Sequence, residues 1–68
     1  MREIVISDGS IRLGQFLKLA NVVESGAGAR SLLESGDVQV NGEVENRRGR
    51  QLQRGDVVAV GGAELRVG

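Results

Sequence analysis

The stretch ARSLLESGDVQVNGEV, residues 29–44, contains the end of one predicted helix and a complete predicted hairpin. Ala29, Leu32 and Leu33 have the spacing of one face of a helix, which we predict begins after Ser25. Gly36 suits the left-handed residue that commonly follows a helix, because glycine adopts positive φ angles without steric cost. This half of the stretch therefore predicts a helix that ends just before Gly36.

The second half of the stretch alternates apolar and polar residues around a tight turn. Valines at 38 and 40 flank a glutamine, and the pair Asn41-Gly42 follows directly. Asn-Gly is the strongest short signal for a two-residue hairpin turn, since both residues tolerate positive φ angles. Residues 37–40 and 43–45 are therefore predicted to pair as antiparallel strands.

The chain before this stretch predicts one strand and one further helix. REIVIS, residues 2–7, is a short run rich in β-branched residues and predicts a strand. Residues 11–20 predict a helix, with Ser10 as the N-terminal cap and Asn21 as the stop. The apolar residues of this helix recur at i, i+3, i+4 and i+7, and they are Leu13, Phe16, Leu17 and Ala20.

The chain after the hairpin predicts two more strands. DVVAV, residues 56–60, and AELRV, residues 63–67, are joined by the turn pair Gly61-Gly62. The order of elements is then β, α, α and four short strands, which predicts a single α+β domain over residues 1–68. We expect two packed helices against a small, mainly antiparallel sheet. The predicted core consists of Leu13, Phe16, Leu17, Leu32, Leu33, Val38, Val40 and Val58.

The composition restricts the chemistry available to this protein. The chain has 68 residues, no cysteine and no histidine. It therefore lacks thiolate nucleophiles, sulfur ligands for metals and the usual acid–base side chain. A domain of this size also has little room for a substrate cavity. We expect a non-enzymatic protein without a metal or cofactor, and the lack of a long apolar run predicts no membrane-spanning segment and no signal peptide.

Four short motifs follow one another along the chain in a characteristic order. They are Arg12-Leu13, then Leu33-Glu34-Ser35-Gly36, then Val38-Gln39-Val40-Asn41-Gly42, and finally RGDVVAV over residues 54–60. With this order and spacing, residues 10–60 resemble the S4 RNA-binding domain. The stretch ESGAGAR, residues 24–30, resembles the small stand-alone bacterial S4-like proteins.

The resemblance implies both a fold and a function. It implies the S4-like (αL) fold and the binding of structured RNA, either ribosomal or transfer RNA. It also implies a monomer in the bacterial cytoplasm, with the ribosome or an RNA-modifying enzyme as a further partner. Two departures stand out, since many S4 domains have an acid at the position of Gly14 and an arginine at the position of Gly26. We expect Arg30 to replace part of the missing arginine's role.

A cluster of arginines indicates an RNA partner independently of the family resemblance. Residues 47–54 contain four of the nine basic residues of a chain whose net charge is zero, and no acid lies between Glu45 and Asp56. Because nearby acids are few, we expect RNA phosphates to neutralise this loop. The predicted RNA-binding residues are Arg12, Lys18, Arg30, Asn41, Arg47, Arg48 and Arg50.

Each of these features also has a simpler interpretation. The arginine loop could be solvated and paired with Glu43 and Glu45, and Arg30 could pair with Glu34 one helical turn away. Asn41 could serve only the turn. The glycines of SGAGAR, residues 25–30, could expose backbone amides to a phosphate or simply allow a sharp turn between helices.

The aromatic content narrows the kind of RNA, and two alternative functions remain open. Phe16 is the only aromatic residue and belongs to the predicted core, so no exposed ring is available to stack on unpaired bases. Structured RNA, recognised through its backbone and 2′-hydroxyls, fits better. The alternatives are a ubiquitin-like sulfur carrier, whose Gly-Gly would be terminal rather than at 61–62, and an S4-fold protein-interaction module without RNA binding.

Overall fold

The computed structural model describes all residues from 1 to 68 and contains two helices and seven short strands. The helices are α1 (Leu13–Leu19) and α2 (Gly26–Glu34). The strands are β1 (Arg2–Ile4), β2 (Ser10–Arg12), β3 (Val38–Val40), β4 (Glu43–Val44), β5 (Gln51–Gln53), β6 (Val57–Val60) and β7 (Ala63–Val67). Neither helix has the length and apolar character needed to cross a membrane.

The strands form one mixed sheet and one separate pair. The larger sheet has the order β1-β7-β6-β3-β4, and only its β1–β7 pairing is parallel. β2 and β5 form a two-stranded antiparallel sheet. The predicted fold class, α+β with a small and mainly antiparallel sheet, is therefore confirmed.

The core lies between the two helices and one face of the larger sheet. It contains fourteen buried apolar side chains, including Phe16, which has no exposed surface. Seven of the eight predicted core residues are buried, whereas Leu32 packs at the rim. The sequence-based core omitted residues of α2, β1, β5 and β7 and two residues outside the elements: Ile4, Ile6, Ala20, Ala29, Leu52, Leu65 and Val67.

The second helix and the hairpin after it follow the prediction closely. The Ser25 hydroxyl caps α2 by accepting a hydrogen bond from the Gly28 amide at 3.1 Å. Gly36 has a φ of 82°, as expected for the left-handed residue after a helix. Asn41 and Gly42 have φ angles of 51° and 88°, so both central residues of the turn are left-handed, as the Asn-Gly pair predicts.

The start of the first helix was predicted wrongly. Ser10 is not a helix cap, because residues 10–12 form β2 and pair with β5. Helix α1 begins only at Leu13, and its N-terminal flanking residue, Arg12, provides no side-chain cap. The strand β5 was also missed, so five strands follow the helices rather than four. The pairing of β2 with β5 joins segments about forty residues apart, and a local sequence pattern does not predict such a contact.

Candidate nucleic-acid interface

In the structure the arginine loop spans residues 45–50, because residues 51–53 form β5, and it is folded around a buried acid. Glu45 is only 7% exposed, and its carboxylate accepts hydrogen bonds from the guanidinium groups of Arg47 and Arg50 at 3.1 Å. The amides of Asn46 and Arg47 donate to the same carboxylate at 3.0 and 3.2 Å. The expectation that the chain lacks nearby acids for these arginines is therefore wrong for Arg47 and Arg50. One carboxylate binds both side chains because the loop curls back on itself.

The electrostatics of this cluster favour the ionised carboxylate. Hydrogen bonds from the Arg47 side chain lower the pKa of Glu45 from about 4.5 to about 2, against the opposing effect of burial. The Arg47 amide and the Arg50 side chain contribute in the same direction. A single carboxylate neutralises only one of the two arginine charges, so the cluster keeps a net positive charge.

The backbone of the same loop caps helix α1. The amide of Leu13 donates to the carbonyl of Arg50 at 2.8 Å, and the amide of Gly14 donates to the carbonyl of Arg48 at 3.0 Å. The first amides of a helix have no partner within the helix, so these carbonyls replace the missing side-chain cap. A Cβ on Gly14 would lie 3.4 Å from the Cβ of Arg48. Gly14 therefore lets the loop pack closely against the start of α1, and it also lines the cleft beside that loop.

This docking places Arg48 beside a cleft of about 280 Å³ between α1, α2 and the loop. Three cations line the cleft: Arg12 just before α1, Lys18 in its last turn, and Arg48 from the loop. None of the three forms a salt bridge or a side-chain hydrogen bond within the chain. The structure therefore gathers three uncompensated positive charges around one concave surface.

The N-terminus of α2 opens onto the same cleft. Gly26 and Ala29 line the cleft, while Ser25 caps the amide of Gly28. The amides of Gly26 and Ala27 donate no hydrogen bond within the chain. Free amides and the positive end of the helix dipole both attract anions, so they add to the field of the three cations.

The other predicted residues do not line the cleft. The Arg30 side chain pairs with Glu34 at 3.0 Å on the exposed surface of α2. The Asn41 side chain donates to Asp56 at 3.2 Å and accepts from the amide of Val57 at 2.9 Å, which ties the turn to β6. Both residues have partners within the chain, as their simpler interpretations expected, and contact of either with RNA stays a prediction.

One residue of the cleft escaped the sequence-based prediction, and the role of one acid was predicted only in part. Gln15 lines the cleft between Arg12 and Lys18, and the spacing of three along a helix could have revealed it. Pairing of the arginine loop with Glu45 was one of the interpretations of the sequence and is confirmed, whereas the burial of Glu45 and its hydrogen bonds to the loop backbone had no sequence signal. The structure shows that this acid organises the loop.

Comparisons with known proteins agree with the fold. The S4 domain family matches residues 4–68. A Bacillus subtilis (strain 168) protein described as probable ribosome maturation protein RlbA is 52% identical over 59 residues, which cover 87% of this chain and 83% of the relative. The crystal structure of 30S ribosomal protein S4e from Thermoplasma acidophilum superposes with a TM-score of 0.66 at 23% identity. That match covers 88% of this chain but only 32% of the S4e chain, and it shows the fold alone.

These findings decide between the folds considered from the sequence. A ubiquitin-like sulfur carrier needs a hairpin where this chain has helix α1, and the family match runs through the internal Gly61-Gly62 pair. The sulfur-carrier alternative is therefore wrong.

Proposed function

This chain belongs to the S4 domain family, and we propose that it binds structured ribosomal RNA as part of ribosome maturation. The family supports the RNA-binding role, and the relative described as a probable ribosome maturation protein supports the ribosomal context. The role is one of binding rather than catalysis, carried out by a monomer in the cytoplasm.

The cleft of Arg12, Lys18 and Arg48 is the observation that carries this proposal. Its cations have no acidic partner in the chain, although the whole chain is neutral. Such segregated charge attracts a polyanion to one side of a neutral molecule. Phosphate oxygens suit both the planar fork of arginine and the compact charge of lysine.

The remaining predicted residues form an outer ring of contacts in this proposal. Arg47 has a side chain that is 73% exposed although it pairs with Glu45, so part of its guanidinium can still meet a phosphate. Arg50 is only 31% exposed and serves mainly to hold the loop. Arg30 and Asn41 would contact RNA only beside their existing partners, and we rank them below the three cleft residues.

A substitution of Arg48 tests the cleft. We expect Arg48→Ser to weaken binding to an RNA hairpin and to flatten the dependence of affinity on salt by about one unit on a double-logarithmic plot. Arg2→Ser is the matched control, because Arg2 is also exposed and unpaired but lies on the edge strand β1. Binding to the hairpin at several salt concentrations measures both effects. If Arg48→Ser and Arg2→Ser leave the same affinity and slope, RNA does not occupy the cleft.

Crosslinking in cells, followed by sequencing of the bound RNA, tests the function as a whole. We expect ribosomal RNA to be enriched above background with the intact protein and depleted with Arg48→Ser. Recovery of no RNA above background would favour the alternative of an S4-fold protein-interaction module.

A further inference from the structure

A second cleft lies directly beside the cationic one. Its volume is about 520 Å³, and Gln15 and Lys18 line both clefts. The two clefts therefore share one wall on helix α1. An RNA strand whose phosphate occupies the first cleft would place its adjoining nucleoside next to the second.

The lining of the second cleft differs in character from the first. Ile6, Ile11 and Leu19 provide apolar surface, and Leu19 is 51% exposed, although it is a large aliphatic residue. Such a surface suits the flat face of a base. Moving that face out of water is favourable even when it packs against aliphatic rather than aromatic side chains. A phosphate gains nothing from these three side chains.

Asp8 is the only acidic residue that lines the second cleft. Its carboxylate makes no hydrogen bond or salt bridge within the chain, even to Lys18 on the shared wall. An ionised carboxylate repels phosphate and only accepts hydrogen bonds. The donors on RNA that suit it are the ribose 2′-hydroxyl and the N–H groups of base edges, and of these only a base also presents a flat face to the three apolar side chains.

We infer that the second cleft binds one unstacked guanine of the RNA, with Asp8 accepting hydrogen bonds from the N–H groups of its Watson–Crick edge. Guanine presents two adjacent donors there, which match the two oxygens of a carboxylate. Unpaired bases in loops and bulges expose this edge, whereas paired bases do not. This inference rests on the proposed function, and it adds a base-specific contact to a surface that otherwise reads the RNA backbone.

Three RNA hairpins test the inference: one fully paired, one with a single bulged guanosine and one with a bulged adenosine at the same position. We expect the protein to bind the guanosine hairpin roughly tenfold more tightly than the adenosine hairpin, the size of effect of one good bidentate contact. Asp8→Asn should abolish this ratio while leaving the salt slope unchanged. Glu64→Gln is the matched control, since Glu64 is another exposed acid without a partner and lies on β7.

A second variant separates base packing from charge. Leu19→Ser should weaken binding of both bulged hairpins and leave the fully paired hairpin unaffected, because only an extruded base would reach Leu19. Equal affinity for the two bulges, or a guanosine preference that survives Asp8→Asn, would overturn the guanine site while RNA binding stands. Failure of the unaltered protein to bind any hairpin would instead overturn the proposed function, and the guanine site with it.

Discussion

Glu45 is a buried acid that shapes the most basic segment of the chain. It is 7% exposed and joins two guanidinium groups and two backbone amides. With these bonds in place, the loop carbonyls of Arg48 and Arg50 meet the first amides of α1. The same residue therefore influences both the shape of the loop and the position from which Arg48 reaches the cleft.

We predict that Glu45→Gln lowers the free energy of unfolding at neutral pH by about 1–3 kcal/mol, because hydrogen bonds to charged groups are lost. The pKa of Glu45 is depressed in the folded protein, from about 4.5 to about 2. Its contribution is therefore fully present above about pH 4.5 and is lost as the pH falls toward 2. Urea unfolding of both proteins between pH 7 and pH 3 should show the difference shrinking with acid. A difference that is constant with pH would contradict an ionised, paired Glu45.

The sequence offered Glu45 as one possible partner of the loop but could not show which arginines it binds, and the reason is physical. Charge counting places four arginines near few acids, but it does not show which guanidinium groups fold back onto the chain. It therefore treated Arg47, Arg48 and Arg50 as equivalent, although Glu45 binds only the first and third. Because Arg47 and Arg50 are bound to a buried carboxylate, exchanging all three arginines for serine should destabilise the loop.

The two helices begin in different ways. The cap of α2 is the Ser25 hydroxyl, whereas α1 is capped by backbone carbonyls from the arginine loop. A side-chain cap is local in sequence and leaves a recognisable residue type before the helix. A cap supplied by a distant loop leaves no such residue, so Ser10 was mistaken for one.

This difference leads to a paired prediction. Ser25→Ala should lower the free energy of unfolding by about 1 kcal/mol, because the Gly28 amide loses its partner. Ser10→Ala should change it by less than about 0.5 kcal/mol, since Ser10 is exposed and caps no helix. Chemical denaturation of the two variants side by side measures both values. A larger loss for Ser10→Ala than for Ser25→Ala would restore the sequence-based helix start.

Elements with a strong local pattern were predicted and elements without one were missed. Helix α2 and the β3–β4 hairpin combine apolar periodicity with a cap, a left-handed glycine and an Asn-Gly turn. β2 and β5 have three residues each, and their pairing depends on tertiary contacts. The predicted helix over residues 11–20 included part of β2, because Ser10 is a residue type that often caps a helix and was taken as its start.

The whole molecule depends on one small core, and Phe16 is its largest fully buried side chain. We predict that Phe16→Ala costs roughly 3–5 kcal/mol, which is comparable to the total stability expected of a domain of this size. Thermal unfolding followed by circular dichroism should show the transition lost or shifted far downward. Leu19→Ala, on the same helix but 51% exposed, is the control and should retain most of the stability. A nearly unchanged melt for Phe16→Ala would be inconsistent with the described core.

The basic residues of the candidate interface were predicted from the sequence, but which of them lie together depends on the whole fold. The sequence identified the basic residues, and the fold brings Arg12, Lys18 and Arg48 together from two elements and a loop. Arg30 and Asn41 lie outside this cleft, because the partners that hold them are close in the folded chain. A sequence can show how much positive charge is present, but only tertiary packing determines which charges converge.

The distribution of surface chemistry over the molecule predicts which RNA it prefers. The only aromatic residue is fully buried, so no exposed ring can stack on successive bases of a single strand. The cleft instead offers three cations and helix amides that the fold brings to one surface, and these suit the phosphates of a paired stem. We therefore expect tighter binding to a ribosomal-type stem-loop than to polyuridine of equal length at one salt concentration. Fluorescence anisotropy with both RNAs measures the ratio, and Arg48→Ser should reduce it because Arg48 is fixed by the folded loop. Equal affinities for the two RNAs would mean that the cleft responds to charge alone.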